Sequence, residues 1–231
     1  MIWSYGVTTV PARVSTLLPR TLASLKAAGF DKPRLFVDGA KYSADWDDFG
    51  LEVTTRFPSI RPPTNFANWV LGLWELYLRE PHADRYAMFE DDIVACVNLR
   101  QYLEACAELP KGYWNLYTVP IVAQKSKGRR GWYESNQLGK GALALVFTRG
   151  AVHTLLGSPY FVSLPSYEDR GWKNLDGAVV TAFINAGFRE YVHNPSLVQH
   201  VGDESVIGNK WRDPADTFKG EQFDATKLVL Q

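Results

Sequence analysis

The stretch Arg85-Tyr86-Ala87-Met88-Phe89-Glu90-Asp91-Asp92 runs from a short apolar segment into three consecutive carboxylates. Residues 86–89 predict a buried β-strand, so the three acids follow its carboxyl end. In open α/β sheets, ligands bind at that edge. Adjacent carboxylates repel one another unless a cation is bound, and oxygen ligands on a rigid strand end suit Mg²⁺ or Mn²⁺. The stretch therefore indicates either a metal site or a solvated acidic turn.

Strand-like and helix-like segments alternate on both sides of these acids. Apolar runs predict strands at residues 2–8, 34–37, 51–56, 114–119, 142–148 and 191–201. Helical spacing of apolar residues predicts helices at 17–28, 65–78, 99–109, 151–156 and 176–186. Trp69 and Trp74 are interpreted as core residues. The alternation predicts the α/β class, with a mostly parallel central sheet flanked by helices. We expect one domain at residues 1–202 and a C-terminal tail at 203–231 that acts as a lid or packs on the sheet.

The composition of the 231-residue chain narrows the range of functions. Hydrophobic residues make up 46% and charged residues 22%, which excludes a wholly disordered chain. A formal net charge of zero argues against a general polyanion binder. Cys96 and Cys106 lack a metal or redox spacing and are expected to be free thiols. Without a signal peptide or an apolar run of roughly 20 residues, we expect a soluble, cytoplasmic protein with no membrane span.

Three more segments, taken in order with the acidic triplet, resemble the nucleotide-sugar-dependent glycosyltransferases of the GT-A fold. They are the loop at residues 8–13, the helix start Leu175-Asp176-Gly177, and residues 194–202, which include His200. Each motif alone is weak, but their order and separations are more specific, and the match covers about residues 5–202. The resemblance implies a GT-A, Rossmann-like fold in which Glu90-Asp91-Asp92 is a variant of the Asp-X-Asp motif.

The resemblance also implies a divalent metal held by Asp92 and His200. The last acid of the triplet binds the metal in such enzymes, and a later histidine often completes the metal shell. Neutral imidazole binds Mn²⁺ acceptably, which favours Mn²⁺ over Mg²⁺. The metal would act as a Lewis acid on the diphosphate of a UDP-sugar. The alternative reading of His200 is a polar residue that ends a strand.

Six residues at strand ends are expected to contact the sugar nucleotide: Thr8, Thr9, Arg13, Asp38, Glu90 and Asp91. The threonines and Arg13 would donate to the base, ribose or phosphates, and Asp38 would accept from the base or ribose. The two acids would contact ribose and sugar hydroxyls or orient metal-bound water. Loops after strands also favour threonine and aspartate for turn and capping reasons, so a structural role is the alternative.

Asp176 is the expected catalytic base. In inverting members of the family, an acidic residue that opens a later helix deprotonates the acceptor hydroxyl. Aspartate is also a preferred residue at helix N-termini for capping alone. Leu175 stands where the family usually has another acid, which leaves Glu168 and Asp169 as alternative bases.

Residues 131–142 are expected to line the sugar and acceptor pocket, as in the resembling fold. Trp132 or Tyr133 could stack on a sugar or base, and the small residues Gly141 and Ala142 would leave room for the donor sugar. A flexible surface hairpin is the alternative. The basic residues within 125–130 form either a solvated loop or one that closes over a phosphate.

These features predict a metal-dependent, inverting glycosyltransferase that moves a sugar from a UDP-sugar to an acceptor hydroxyl. The acceptor is a glycan, a small molecule or a hydroxymethylated DNA base, and the basic loop would suit DNA. Two alternatives remain: a catalytically silent relative that binds sugar nucleotides, and a metal-dependent nucleotidyl or phosphoryl transferase.

Overall fold

The computed structural model describes residues 1–57, 65–109, 111–163, 175–202 and 214–228. The strands in these ranges are β1 (Trp3–Thr9), β2 (Arg34–Asp38), β3 (Val53–Arg56), β4 (Arg85–Glu90), β5 (Ile93–Ala95), β6 (Gly112–Asn115), β7 (Gly131–Glu134), β8 (Ala144–Thr148), β9 (Arg189–Asn194) and β10 (Val198–His200). The α-helices are α1 (Leu17–Ala27), α2 (Asn65–Arg79), α3 (Leu99–Ala105), α4 (Pro120–Ala123), α5 (Arg149–Leu156), α6 (Pro159–Ser163) and α7 (Leu175–Asn185).

Eight strands form one mixed sheet in the order β3-β2-β1-β4-β8-β6-β9-β7. β3, β2, β1 and β4 run parallel to one another, and so do β6 and β9. β8 lies antiparallel between β4 and β6, and β7 runs antiparallel to β9 at the edge. β5 and β10 form a separate antiparallel ribbon. The predicted α/β class, with a central sheet flanked by helices, is confirmed.

Both faces of the sheet are covered, which explains why β4 is apolar along most of its length. Ala87 and Phe89 belong to one hydrophobic cluster, whereas Tyr86 and Met88 belong to another. This alternation follows the two-residue period of a strand, so the two clusters occupy opposite faces. Buried residues of α1 and α3 join the first cluster, and those of α2, α5, α6 and α7 join the second.

The assignment of Trp74 to the core is wrong. Trp69 is fully buried, but Trp74 on the same helix is 40% exposed. Five residues turn an α-helix by about 500°, so the two rings point to different sides of α2. Trp69 packs edge-on against Phe147 of β8 and against Phe161 of α6.

The strand predicted at residues 114–119 is shorter in the structure, where β6 ends at Asn115. Leu116 still pairs through its backbone with Ala144 and Leu197, but side chains accept the next two backbone N–H groups. Oδ1 of Asn115 accepts the N–H of Tyr117 at 3.1 Å, and Oγ of Ser196 accepts the N–H of Thr118 at 3.0 Å. The chain therefore leaves the sheet although its residues remain apolar.

Two other segments also differ from the prediction. The helix predicted at 99–109 ends at Ala105, because Cys106 has extended backbone angles. Residues 131–134, for which no strand is predicted, form the edge strand β7. Cys96 and Cys106 are free thiols, as predicted.

The described part of the C-terminal tail packs against the rest of the molecule. Ala225 is fully buried, the backbone of Asp224 bridges to Val97, and the N–H of Ala215 donates to the side chain of Gln199 at 2.9 Å. The domain boundary at residue 202 stays a prediction. None of the helices described here combines the length and the apolar character that crossing a membrane requires.

Candidate functional site

The acidic triplet lies at the carboxyl edge of the parallel strands. Glu90 ends β4 and is partly exposed, whereas Asp91 and Asp92 form the turn into β5 and are each only 4% exposed. Thr21 of α1 holds this turn, because its hydroxyl lies 2.8 Å from the carbonyl oxygen of Asp91 and 2.9 Å from that of Ile93. Both aspartates are thus fixed and buried, which argues against a solvated acidic turn.

Arg13 reaches both buried aspartates from the turn after β1. Its Nη1 lies 2.5 Å from Oδ1 of Asp91 and 2.6 Å from Oδ2 of Asp92. The hydroxyl of Thr9 donates to Oδ2 of Asp91 at 2.5 Å, and that of Thr8 donates to a backbone carbonyl of β4 at 3.4 Å. Three residues expected to contact a nucleotide therefore lie beside the acids, with their polar groups hydrogen-bonded inside the protein.

His200 reaches the same place through the β5–β10 ribbon. β5 begins one residue after Asp92, and its pairing with β10 sets Ile93 opposite His200. The N–H of Val201 donates to the carbonyl of Asp92 at 2.8 Å, which extends the pairing. Nε2 of His200 then lies 3.1 Å from Oδ2 of Asp92. The two predicted metal ligands are therefore adjacent, although 108 residues separate them in sequence.

The charges of the site act on each other. The carboxyl group of Glu90 is shielded from water although part of the residue is exposed, and this desolvation, together with the charges of Asp92, Asp176 and Asp91, holds its pKa well above the ordinary value. Burial also raises the pKa of Asp91, although Arg13 partly opposes the shift. For Asp92, burial opposes ionisation, but the hydrogen bond and charge of His200 and the charge of Arg13 outweigh it and lower the pKa. Asp92 is thus the acid most firmly kept as a carboxylate.

Asp176 opens α7 close to these acids, since its charge contributes to the raised pKa of Glu90. Its Oδ2 accepts the backbone N–H of Gly141 at 2.5 Å. Burial raises the pKa of Asp176, while backbone N–H groups of Gly141, Ala142 and Asp176 itself act in the opposite direction. A carboxylate with a raised pKa and a fixed orientation is suited to accept a proton.

Two glycines let the loop before β8 approach the start of α7. Gly139 and Gly141 have positive φ angles of 66° and 72°. A Cβ atom at Gly139 would lie 2.4 Å from the carbonyl oxygen of Asp176, and one at Gly141 would lie 2.4 Å from Cδ1 of Tyr117. Only glycine therefore allows this loop to bring a backbone N–H to the carboxylate of Asp176.

A network of hydrogen bonds among buried polar groups joins that loop to β6 and β9. Nδ2 of Asn115 donates to the carbonyl of Lys140 at 3.1 Å and to Oε1 of Glu190 at 3.2 Å. Gln137 donates to the carbonyl of Glu190 at 2.9 Å and accepts its N–H at 3.0 Å. Tyr113 donates to Oε1 of Glu190 at 3.0 Å. The loop position next to Asp176 is thus fixed by β6 and β9.

The residues present fit a divalent cation beside Asp92. Oδ1 of Asp92 is buried and has no hydrogen-bond partner among the residues that the structure describes. Nε2 of His200 lies 3.1 Å from Oδ2 of Asp92, so both side chains are close enough to contact the same cation. A Cβ at Gly202 would lie 2.9 Å from Oδ2 of Asp92, so glycine keeps this space open. No group of three or more His, Cys, Asp or Glu residues within the described ranges is arranged as a ready metal site, so other ligands would have to complete the shell.

Other predicted residues lie elsewhere or differ in role. Asp38 ends β2, one residue beyond the pairing of Val37 with Thr9, and so lies on the same sheet edge. The ring of Trp132 stacks on Trp114 with centroids 5.1 Å apart, and its stacking on a sugar or base stays a prediction. Tyr133 donates its hydroxyl to a backbone carbonyl of α4 at 3.1 Å. The alternative bases at positions 168 and 169 fall outside the described residues.

Sequence reasoning missed the residues that support the site: Thr21, Asn115, Gln137 and Glu190. A signal was present for two of them, because Asn115 interrupts an apolar run and Glu190 lies in a strand-like segment. Polar residues at such positions are buried with partners or serve a function. Thr21 carries no comparable signal, since threonine on a helix usually needs no explanation.

No known family model and no curated protein matches the sequence. The fold resembles solved structures. GalNAc-T7, solved with UDP, GalNAc and Mn²⁺, superposes with a TM-score of 0.58 at 12% identity, covering 83% of this chain and 42% of that one. The catalytic domain of Drosophila β1,4-galactosyltransferase 7 with xylobiose superposes with a TM-score of 0.49 at 13% identity, covering 95% of this chain and 77% of that one. A nucleotidyl transferase from Methanothermobacter superposes with a TM-score of 0.49 at 15% identity, covering 83% of this chain and 86% of that one.

The similarity to GalNAc-T7 supports a GT-A-like fold, and at 12% identity it shows the fold alone. The chain spans less than half the length of that relative.

Proposed function

We propose that this protein is a metal-dependent, inverting glycosyltransferase that moves a sugar from a UDP-sugar to an acceptor hydroxyl. One observation carries the proposal. A buried aspartate at the carboxyl edge of the sheet keeps one oxygen without a hydrogen-bond partner among the described residues, while Arg13 and His200 meet at its other oxygen. This arrangement is suited to a cation and a diphosphate. GalNAc-T7, which has a similar fold, was solved with UDP, GalNAc and Mn²⁺.

Asp92 and His200 would hold the metal, and Mn²⁺ suits a carboxylate and imidazole pair. When bound, the metal would supply Lewis-acid stabilisation of the diphosphate leaving group. Arg13 adds a fixed positive charge at the same place, since its guanidinium group already contacts both aspartates. It can form charge-assisted hydrogen bonds to phosphate oxygens once it leaves the acids.

The strand ends would hold the rest of the donor. Thr8 and Thr9 end β1, and Asp38 ends the neighbouring strand β2, so all three lie along one edge for the base and ribose. Glu90 and Asp91 would contact ribose or sugar hydroxyls. A nucleotide that binds here would meet groups already oriented by the protein, which lowers the entropy cost of binding.

Asp176 would act as the base in the transfer step. The acceptor oxygen forms a bond to the anomeric carbon as the bond from that carbon to the diphosphate breaks. The electron pair of that bond leaves with UDP, and the acceptor proton moves to Asp176. Attack opposite the leaving group inverts the anomeric centre. The N–H of Gly141 orients the carboxylate, and its raised pKa strengthens it as a base.

Calorimetric titration with UDP, in the presence and absence of Mn²⁺, tests the metal role directly. We expect Mn²⁺ to strengthen UDP binding. In Asp92→Asn, the gain in UDP affinity that Mn²⁺ produces should fall by about 10–100-fold or more, since changes to the surroundings of a metal ligand alone have effects of that size. Asp47→Asn removes a charge from an exposed position in the 3₁₀ helix Ser43–Phe49 and serves as the matched control. UDP binding that ignores Mn²⁺ in the parent protein would overturn the metal role.

A panel of donors and acceptors tests the reaction. UDP-glucose, UDP-galactose and UDP-N-acetylglucosamine are offered with Mn²⁺ to glycans, small alcohols and hydroxymethylated DNA, and transfer is read as a mass increase on the acceptor. We expect transfer that Asp176→Asn abolishes without loss of UDP binding. Binding of nucleoside triphosphates alone, with release of pyrophosphate, would establish a nucleotidyl transferase instead. Binding of a UDP-sugar without transfer or hydrolysis would indicate a silent relative.

A further inference from the structure

Glu190 is a buried acid that takes no part in the proposed transfer step. It lies on β9 and is only 4% exposed, and no lysine, arginine or histidine in the described part of the chain forms an ion pair with it. Arg189, the residue before it, pairs with Glu134 instead, at 3.4 Å. A buried carboxylate without a cation is costly, so packing alone does not account for an acid at this position.

The groups around the carboxylate of Glu190 are neutral hydrogen-bond donors. Oε1 accepts from the hydroxyl of Tyr113 at 3.0 Å and from Nδ2 of Asn115 at 3.2 Å, and the hydroxyl of Ser135 is a third donor. The carbonyl oxygen of a glutamine could accept the bonds that Oε1 accepts, without the cost of a buried charge. The hydrogen bonds therefore do not explain why the residue is acidic.

A short chain of polar groups joins Glu190 to the proposed base. Nδ2 of Asn115, which donates to Glu190, also donates to the carbonyl of Lys140 at 3.1 Å. The next residue in the loop, Gly141, donates its N–H to Oδ2 of Asp176 at 2.5 Å. The position of the N–H that orients the base thus depends on where Glu190 holds the amide of Asn115.

The charges of the two buried acids also interact. Burial is the largest cause of the raised pKa of Glu190, and the charge of Asp176 adds to it. The interaction between two charges is mutual, so an ionised Glu190 raises the pKa of Asp176 in turn. A charge at roughly 10 Å shifts a pKa by about one unit when the effective dielectric constant is about 20.

Other ionisable groups around Asp176 stay in place when Glu190 is replaced. They are Glu90 of β4, Tyr113 of β6, Lys140 of the loop, and the exposed residues Arg149 and His153 of α5. The charge of Lys140 acts to lower the pKa of Asp176. Burial raises the pKa of Tyr113 well above its ordinary value, which keeps this residue neutral. A substitution at Glu190 therefore isolates the effect of one charge.

We propose that Glu190 is a positioning residue for Asp176. Through Asn115 it fixes the loop whose N–H orients the carboxylate of Asp176, and its negative charge makes that carboxylate a stronger base. The role rests on the proposed function, in which Asp176 accepts the proton of the acceptor hydroxyl. The interaction between the two carboxyl groups can be measured without a donor, a metal or an acceptor.

Carbon-13 NMR of the side-chain carboxyl groups measures this interaction in the parent protein and in Glu190→Gln. We expect the titration of Asp176 to move to lower pH by about one unit in the variant, because a neighbouring negative charge is lost. Glu134→Gln removes a half-exposed charge from the adjacent strand and is the matched control, which should leave the titration in place. An Asp176 titration that stays in place or moves to higher pH in Glu190→Gln would overturn the proposal.

The parent protein provides a second measurement if Glu190→Gln does not fold. Carboxyl groups that interact titrate in linked steps, so the resonance of Glu190 should shift again where Asp176 loses its proton. Asp176→Asn should remove that second step. A Glu190 resonance without it, or a Glu190 that stays protonated through neutral pH, would equally contradict the role.

Turnover separates this proposal from the proposed function. Where transfer occurs, Glu190→Gln should move the acidic limb of the pH profile of kcat/KM to lower pH, in step with the NMR titration, and kcat should fall because the base is weaker. UDP affinity in Mn²⁺ should not change. A shifted Asp176 titration without transfer from any donor would count against the proposed function alone. Transfer with an unshifted acidic limb would remove the role assigned to Glu190.

Discussion

Arg13 stands where a cation is expected. Its guanidinium group makes short contacts with Asp91 and Asp92, and burial of all three side chains strengthens the attraction. The oxygen of Asp92 that it contacts is also the one near His200. A metal that binds Asp92 must therefore share or replace the contact with Arg13, and in the proposed function the guanidinium group of Arg13 then turns to a phosphate of the nucleotide.

This competition gives a prediction. Without nucleotide, Arg13→Gln should bind Mn²⁺ more tightly than the parent protein, by about 5- to 30-fold, because a competing contact of roughly 1–2 kcal/mol is lost. The same variant should bind UDP with Mn²⁺ more weakly, because a phosphate partner is missing. Free Mn²⁺ measured by electron paramagnetic resonance gives the first affinity, and calorimetry gives the second.

Arg20→Gln is the matched control, because the side chain of Arg20 is about half exposed and its ion pair with Glu221 is long, at 3.6 Å. It should change neither affinity. Weaker Mn²⁺ binding by Arg13→Gln would mean that Arg13 helps to form the metal site instead of competing for it.

At the scale of single residues, sequence reasoning selected groups that the structure places side by side, and it missed the residues that support them. Asp92 and His200 stood out because three adjacent acids and a rare histidine are unusual. Thr21 and Gln137 could not be recognised, since their roles depend on contacts between distant parts of the chain. The contact of Arg13 with both aspartates was likewise invisible, because no local pattern reports where a long side chain ends.

Among the elements, the loop between β7 and β8 matters most for the proposed chemistry. It carries the N–H that orients Asp176, and Asn115, Gln137 and Glu190 hold it against the sheet. Its two glycines adopt backbone angles and close approaches that other residues cannot. The loop is therefore a rigid support for the carboxylate and not a flexible hairpin.

A pair of glycine substitutions tests this role. Gly141 and Gly187 have similar positive φ angles, 72° and 77°, but a Cβ meets Tyr117 at the first and nothing within 4 Å at the second. Gly187→Ala should lower the free energy of unfolding by about 1–2 kcal/mol, the cost of the backbone angle alone. Gly141→Ala should lower it further, by about 1–3 kcal/mol for the added clash, and should also reduce turnover.

Chemical denaturation and transfer assays on both variants give the comparison. Equal losses of stability, with turnover intact in Gly141→Ala, would show that the loop has no part in positioning Asp176.

The strand and helix predictions succeeded where the apolar pattern was long and uniform, as in β4 and α2. They failed where side chains replace backbone pairing. Asn115 and Ser196 end β6 by accepting backbone N–H groups, although the residues that follow are apolar. β7 was missed because an edge strand of four residues pairs on one side only and carries little hydrophobic pattern.

In the molecule as a whole, one buried histidine links stability to pH. His193 is 1% exposed, donates through Nδ1 to the carbonyl of Pro195 at 2.6 Å, and accepts from the hydroxyl of Tyr102 at 2.8 Å. Burial lowers its pKa to about 4. In the unfolded chain, His193 has the ordinary histidine pKa of about 6.5. As pH falls, the unfolded chain therefore binds a proton at this residue before the folded protein does.

Stability should therefore decrease between pH 6.5 and pH 4, and the contribution from His193 should reach roughly 3 kcal/mol. Free energies of unfolding measured across this range in the parent protein and in His193→Gln isolate the effect, because other groups titrate in both. His82→Gln, at an exposed position, is the control and should keep the parent slope. A slope that His193→Gln leaves unchanged would refute the assignment.

The pairing of β5 with β10 has a consequence for synthesis of the chain. Asp92 leaves the ribosome long before His200 has been translated, because His200 comes 108 positions later in the sequence. At about 5–20 residues per second, this gap lasts roughly 5–20 s. The parallel half of the sheet can assemble during that interval, but the ribbon that completes the centre cannot. If the proposed function is correct, a nascent chain would lack activity until β10 has emerged, and a product truncated before β10 would lack the partner of Asp92.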